Sequence, residues 1–279
     1  MTVNSQSSII SPIRIIRAFL WRDILNEVSY KLSFFLQLLS ALPIVLMFFF
    51  LSRIVGNNLS TGPLHPYGGN YFPFVLIGIA VQNYLTLSLS SFSGSLRESQ
   101  LSGTLEAILS APVSLPVFIL GSTAYSFVLN SFRILLYLGI GVLFGVKFQY
   151  TQLLAATGVI ILTIAAFSSL GIFSASFIIL FKKGDPLNWA FSVLSWLMGG
   201  VYYPVSVLPH WMQEAANFIP TTHALEALRM SLLGGHGFSA ITGHLLALAM
   251  WALIGLPLSL VCFRFAMNIA RKNGTLGHY

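Results

Sequence analysis

The chain has 279 residues, of which 56% are hydrophobic and only 8% are charged, and its formal net charge is +7. With a mean hydropathy of +0.83, a soluble protein of this size could not bury so much apolar surface, so lipid must solvate part of the chain. The basic residues flank apolar runs and do not alternate with aromatic residues, so we expect a membrane protein and no nucleic-acid partner.

Residues 11–29 read "SPIRIIRAFLWRDILNEVS" and are too charged to cross a membrane. Apolar residues recur there at helical spacing, and Pro12 is a suitable first helical residue. We predict a helix along the inner membrane surface, where Arg14, Arg17 and Arg22 meet anionic lipid. For residues 23–31, a cytoplasmic extension of the first span is an equally good interpretation.

Six apolar stretches reach the roughly 20 residues that a helix needs to cross the hydrocarbon core. The prediction is an all-α integral membrane protein with one transmembrane domain, 1–279, divided into a cytoplasmic N-terminal part (1–31), a six-span region (32–265) and a cytoplasmic tail (266–279). The predicted spans are 32–54, 71–92, 115–146, 153–181, 189–207 and 241–265.

The orientation follows from the basic residues outside the spans or at their ends. With both termini in the cytoplasm, the inside segments hold ten Lys or Arg residues and the outside segments hold three, which are Arg53, Lys147 and Arg229. The positive-inside rule favours this orientation over its opposite.

The loop after the second span, "RESQLSGTLEAILSAPVS" at 97–114, holds two of the seven acidic residues of the chain, Glu98 and Glu106. Its core "TLEAILS" favours a short helix, with Thr104 as the N-cap and Leu105, Ile108 and Leu109 on one apolar face. A solvated loop with a frayed helix is the alternative. If a soluble partner docks here, the two glutamates can pair with its basic groups.

The segment 199–235 after the fifth span is too polar for a span and too apolar for an ordinary loop. Its prolines, Pro204, Pro209 and Pro220, predict two short helices at 210–218 and 222–232. Glu226 and Arg229 are spaced i,i+3 and are expected to pair on the polar face of the second helix. Two such helices beside a span predict a re-entrant hairpin at the outer leaflet that lines a pathway.

Arg133 lies near the middle of the third span, where a bare charge costs at least ~2.5–3.5 kcal/mol on insertion scales. It is therefore expected to face protein or a water-filled cavity. Two interpretations remain open: a hydrogen bond to neighbouring carbonyls, or contact with an anionic substrate.

Motifs for catalysis are missing from the sequence. It contains no G-x-x-x-x-G-K-[ST], H-E-x-x-H or G-x-S-x-G, so it offers no anchor for a P-loop ATPase, a metalloprotease or a hydrolase. The single cysteine excludes an internal disulfide or a cysteine-based metal centre. His210, His223 and His236 fall in or near the outer segment, where interfacial polar residues are the favoured interpretation over metal ligands. Acidic residues are scarce in the spans, which weakens the case for a proton- or sodium-driven carrier.

Taken together, the chain resembles the permease subunits of the type-two ABC exporter family, which includes polysaccharide and drug exporters. One matching stretch follows the second span and the other follows the fifth. The first contains Arg97, Glu98, Gly103, Thr104, Leu105, Glu106, Leu109 and Pro112, and the second contains Gly200, Pro204, Leu208, Pro209, Asn217, Pro220 and Arg229.

The resemblance implies two permease subunits, expected to be a homodimer, and two copies of a separate P-loop ATPase that binds ATP and Mg. It also implies that 97–109 forms a coupling helix on the ATPase, that the N-terminal helix rests on the ATPase, and that the outer hairpin closes the path. No cofactor is expected in this chain, and no catalytic or metal residue. The expected substrate is a lipid-linked glycan, an amphipathic lipid or a drug; an ion-exporting permease, a carrier acting alone and a non-transport membrane subunit are the alternatives.

Overall fold

The structure is a computed structural model that describes residues 12–55, 62–101, 115–181 and 185–272. Most residues in these ranges are helical, and no β-strand occurs within them. The α-helices in chain order are α1 Pro12–Ser29, α2 Lys31–Leu39, α3 Ala41–Val55, α4 Tyr71–Leu101, α5 Leu115–Leu143, α6 Leu153–Phe181, α7 Pro186–Met198, α8 His210–Ala216, α9 Pro220–Leu232 and α10 Phe238–Lys272.

Among the described residues, five helical segments are long and apolar enough to cross a membrane. They agree with five of the predicted spans, the first, second, third, fourth and sixth. The first is interrupted at Ser40, where α2 ends and α3 begins. The five segments are Phe35–Ile54, Tyr71–Ser95, Leu120–Leu143, Tyr150–Phe181 and Phe238–Ala270.

The predicted fifth span, 189–207, is corrected: it is not one continuous helix. Helix α7 has 13 residues, which at 1.5 Å per residue gives about 20 Å. It ends before Gly199 and Gly200, and Gly200 has a φ of 79°, a left-handed conformation that other residues rarely adopt. The residues beyond are apolar as well, so hydropathy alone could not locate this helix end.

The long helices run in alternating directions. Asn83 of α4 contacts Tyr137 of α5, and Phe19 of α1 packs on Phe118 at the start of α5. Helices α4, α6 and α10 all begin near the two short helices α8 and α9. We call this the hairpin end, and the other, where α4, α6 and α10 finish, the opposite end.

Helix α4 occupies the centre of the bundle. Phe74, Val75, Leu85 and Leu89 along it are fully buried in the main core, which extends to the hairpin end. A second, smaller core at the opposite end joins Phe92 to residues of α5, α6 and α10. By contrast, α3 and α10 expose large apolar side chains, as expected of helices that face lipid. Examples are Leu46, Met47, Phe50, Leu253 and Ile254.

Candidate functional site

A cavity of about 160 Å³, whose wall includes several polar side chains, lies between the α2–α3 break, α4 and α5. Arg133 of α5 forms part of its wall. This location agrees with the expectation that Arg133 faces protein or a cavity. The other lining residues are Gln37, Ser40, Ala41, Ala80, Asn83, Tyr84, Thr86, Leu87, Asn130, Ile134 and Tyr137.

The Arg133 guanidinium has one neutral acceptor in the described chain. Its Nη2 donates a 2.7 Å hydrogen bond to the Oε1 atom of Gln37, so the acceptor is a side-chain amide and not the backbone carbonyl considered above. Its Nε is buried without a hydrogen-bond partner. None of the residues that line the cavity is acidic, so the arrangement presents an uncompensated positive charge to the cavity.

Neutral hydrogen-bonding groups complete the cavity wall. Asn83 Nδ2 donates to the hydroxyl of Tyr137 at 2.9 Å, and the Asn130 side chain is 4% exposed. Amide and hydroxyl groups both donate and accept hydrogen bonds. The cavity can therefore hold an anion or water with donors on several sides.

A second, larger pocket of about 510 Å³ lies at the hairpin end. It is formed by the ends of the same helices α3, α4 and α5, and it includes two exposed cations, Arg53 and Lys147. The Arg53 guanidinium lies over the ring of Phe49, 5.1 Å from its centroid. No acidic residue lines this pocket either.

Apolar side chains separate the two pockets. Along α3, α4 and α5, the residues between them include Val45, Leu76 and Gly141. Val45 is 0% and Leu76 is 1% exposed, and a Cβ atom on Gly141 would overlap the Leu76 side chain. The helices therefore approach closely at this level, and the structure is closed between the two pockets.

The two short helices predicted after the fifth span are present. Helix α8 begins at His210, directly after Pro209, and α9 begins at Pro220, two residues earlier than predicted. Pro204 is buried just before a single 3₁₀ turn at Val205–Val207.

The predicted pairing of Glu226 with Arg229 on a polar face is wrong. Arg229 is 0% exposed, and no ion pair joins it to Glu226 within the described residues. Glu226 instead accepts a 2.6 Å hydrogen bond from the hydroxyl of Tyr67. Helix α9 therefore buries the face that carries Arg229, which the i,i+3 rule for exposed helices does not anticipate.

Arg229 connects three parts of the hairpin end. Its Nε and Nη2 donate to the carbonyl of Phe74 at 3.2 and 3.0 Å, Nη1 to that of Gly200 at 2.7 Å, and Nη2 to that of Val201 at 3.0 Å. Its guanidinium lies 3.4 Å from the ring centroid of Phe74. Burial lowers the pKa of Arg229 to about 10, so the side chain stays cationic at neutral pH. It ties α9 to α4 and to the segment after α7.

Glycine at position 78 makes this arrangement possible, and the sequence interpretation did not identify it. A Cβ on Gly78 would overlap the Val201 carbonyl oxygen and lie 2.9 Å from Arg229 Nη2. Gln37 and Tyr67 were also missed. The only signal that the sequence offers for Gln37 is that a polar residue interrupts an apolar run. The loop sequence around Tyr67 does not distinguish this residue from its neighbours.

At the opposite end, Arg97 and Glu98 lie in the last turns of α4. The other predicted coupling residues lie outside the described residues: Gly103, Thr104, Leu105, Glu106 and Leu109.

A helix, α1, is present where the N-terminal helix was predicted; its position along the membrane surface stays a prediction. Arg14, Arg17 and Arg22 on it are exposed, and Arg22 pairs with Asp23 at 2.7 Å. The helix packs through Phe19, which lies 6.1 Å from Phe118 between ring centroids and covers Gly121 of α5.

Of the histidines, His223 lies beside a residue that the sequence interpretation did not select. Its Nδ1 is 3.0 Å from that of His244 on α10, while His210 lies 3.4 Å from Glu214. Within the described ranges, no three His, Cys, Asp or Glu residues come together as metal ligands.

Comparison with known proteins gives a consistent assignment. The sequence model of the family described as ABC-2 type transporter matches residues 14–233. The chain is 24% identical over 201 residues, 71% of its length, to the inner membrane transport permease YadH of Escherichia coli K12, covering 75% of that protein. The YadH permeases of Escherichia coli O157:H7 and Shigella flexneri match with the same identity and coverage.

Proposed function

Because the chain belongs to the ABC-2 type transporter family, we propose that it is the membrane-spanning permease subunit of an ATP-driven exporter. The observation that supports this most strongly is the extent of the family match, 14–233, which runs from the first turn of α1 to the end of α9. The substrate is a lipid-linked glycan, an amphipathic lipid or a drug-like molecule that leaves the cytoplasm or the inner leaflet. The subunit is integral to the inner membrane, as its permease relatives are by name.

Energy comes from a partner. The sequence has no P-loop motif, so in this proposal two separate ATPase subunits bind ATP and Mg, and a second copy of the permease completes the complex. Helix α4 has 31 residues, or about 46 Å, which exceeds a hydrocarbon core of about 30 Å. Its last turns, with Arg97 and Glu98, therefore extend beyond the core, which supports 97–109 as the ATPase-coupling segment.

The proposed topology has six crossings with both termini in the cytoplasm. Five of the crossings are the long apolar helical segments. The remaining crossing, which comes fifth in chain order, is α7 together with the non-helical segment after it. The α8–α9 hairpin then lies at the outer side, where it helps to close the path. Irregular backbone after α7 is compatible with this depth because it is packed against α4 and Arg229 satisfies two of its carbonyls.

The test is co-purification from native membranes, followed by mass spectrometry and an ATP hydrolysis assay. We expect a P-loop ATPase to co-purify with the wild-type chain and to be lost from the double variant Glu98→Lys, Glu106→Lys, because the reversed charges repel its basic groups. Glu214→Lys makes the same change at an exposed residue of the hairpin end and should leave ATPase binding intact.

Two outcomes would contradict the proposal. Unchanged ATPase binding by the double variant would overturn the assignment of the coupling segment. Substrate transport by the purified chain without ATP or any ATPase would overturn the exporter function and favour a carrier that acts alone.

A further inference from the structure

We propose that the substrate is an amphiphile with an anionic, phosphate-type headgroup, which binds first at Arg133 and then in the hairpin-end pocket lined by Arg53 and Lys147. This inference rests on the proposed export function and specifies its substrate class. It is independent of the coupling segment and of the ATPase.

Charge is the first argument. The two pockets together contain three cations, and none of their described lining residues is acidic. A partly buried guanidinium without a counter-charge is unfavourable in a low-dielectric site. Arg133 uses Nη2 for the neutral Gln37 amide, while its buried Nε has no partner. A phosphate group supplies both the missing negative charge and oxygens that match the planar guanidinium fork.

Size is the second argument. The cavity at Arg133 has about 160 Å³, enough for several water molecules. That volume suits a phosphate-sized headgroup and is too small for an acyl chain. An amphiphile bound at Arg133 must therefore leave its tail outside the cavity.

The third argument is the position of the second pocket. It is formed at the ends of the same three helices. Along α3, Arg53 lies 12 residues beyond Ala41, which corresponds to about 18 Å of rise. Arg53 and Lys147 there offer two cations to an anion that leaves Arg133. A headgroup that moves from the Arg133 cavity to the hairpin-end pocket therefore has a basic side chain to bind in each pocket.

Helix α3 is the wall that must move. Val45, Leu76 and the close approach at Gly141 keep the pockets apart. The outer face of α3 is exposed at Leu46, Met47 and Phe50, and the helix is interrupted at Ser40, which lines the Arg133 cavity. Displacing α3 therefore breaks contacts on one side only, whereas α4 is surrounded by core residues.

The experiment is native mass spectrometry of the purified full chain in a neutral detergent, titrated with dilauroyl phosphatidic acid. We expect it to bind about tenfold or more tightly than dilauroyl phosphatidylcholine, whose headgroup is neutral overall, since one charge-assisted hydrogen bond is worth about that factor. Arg133→Gln should abolish the preference. Arg133→Lys should retain part of it, because the charge stays and the fork is lost.

Two further variants make the result specific. Ala41→Leu keeps the charge and fills the cavity, so it should weaken phosphatidic acid binding even if Arg133→Gln fails to fold. Arg264→Gln removes an exposed cation of α10 at the opposite end and should change nothing. The double variant Arg53→Gln, Lys147→Gln should lower the number of phosphatidic acid molecules retained per chain.

An unchanged preference in both Arg133→Gln and Ala41→Leu would overturn the proposal. So would competition by inorganic phosphate as strong as that of the lipid, because the site would then bind free anions and not amphiphiles. The binding assay needs no ATPase. A chain that binds phosphatidic acid through Arg133 but never engages an ATPase would refute the export function and leave the binding site established.

Discussion

Two arginines inside the bundle show how the same side chain serves different purposes. Arg229 is fully buried, and four hydrogen bonds to three carbonyls surround it. Arg133 is half-buried beside a cavity and has one neutral partner and a free Nε. A fully satisfied guanidinium rigidifies its surroundings, whereas an under-satisfied one beside a cavity is available to a ligand.

The structural role of Arg229 can be tested with Arg229→Lys. Lysine keeps the charge but has a point-like ammonium, which cannot reach the carbonyls of Phe74, Gly200 and Val201 together. We expect a loss of about 2–4 kcal/mol in the free energy of unfolding, since buried carbonyls are left unsatisfied. Equilibrium unfolding in mixed micelles measures it.

Arg53→Lys is the control, because Arg53 is exposed and should cost little. Equal stability of the Arg229→Lys and Arg53→Lys variants would show that Arg229 does not hold the hairpin end together.

Among the elements, α4 determines how the other helices are placed. It packs closely on α9 and the segment after α7 at Gly78, on α5 where Leu76 meets Gly141, and on α6 where Gly171 lies against Phe92. Each approach depends on a glycine, because the helix axes are too near for a side chain there.

Two glycines in α4 provide a matched comparison. A Cβ at Gly78 would overlap the Val201 carbonyl oxygen, whereas one at Gly94 would meet nothing within 4 Å. We expect Gly78→Ala to lower the unfolding free energy by about 1–3 kcal/mol through overpacking. Gly94→Ala should be neutral or stabilise by up to about 1 kcal/mol, because alanine favours the helix.

Thermal unfolding of the two variants in the same detergent distinguishes them. If Gly78→Ala were as stable as Gly94→Ala, the close packing of α4 on the hairpin end would be refuted.

At the scale of the whole molecule, the two ends of the bundle differ in chemistry. The hairpin end holds the Arg229 connections, the larger basic pocket and the exposed α8. The opposite end holds α1 with its three arginines, the charged last turns of α4 and the end of α10. The proposed export function would use this asymmetry, with the ATPase at the opposite end and substrate release at the hairpin end.

The orientation is testable by cysteine labelling. Cys262 is the single native cysteine, so a Cys262→Ala background allows one new cysteine at a time. We expect Asn70→Cys, exposed at the hairpin end, to react with a membrane-impermeant maleimide in intact spheroplasts. Lys272→Cys, exposed at the opposite end, should react only after permeabilisation. The reverse pattern would invert the proposed topology.

Composition and hydropathy determined the membrane location, the helical fold and five of the spans, because apolar runs of this length must be solvated by lipid as helices. Proline placement determined the two short helices of the hairpin, and the family resemblance was confirmed by the match over 14–233. These features are local, so a single sequence is enough to recognise them.

Only the tertiary structure decided where α7 ends, which partners Arg229 takes, and that Gln37 meets Arg133 across 96 residues. Hydropathy does not reveal that Gly200 adopts a left-handed conformation within an apolar run and so ends the helical segment. Helical periodicity likewise does not predict which face of α9 is buried. Whether a charge inside the membrane is satisfied or left open to a ligand depends on groups brought together by packing. Those contacts are long-range, so neither helical periodicity nor composition, which are local properties, predicts them.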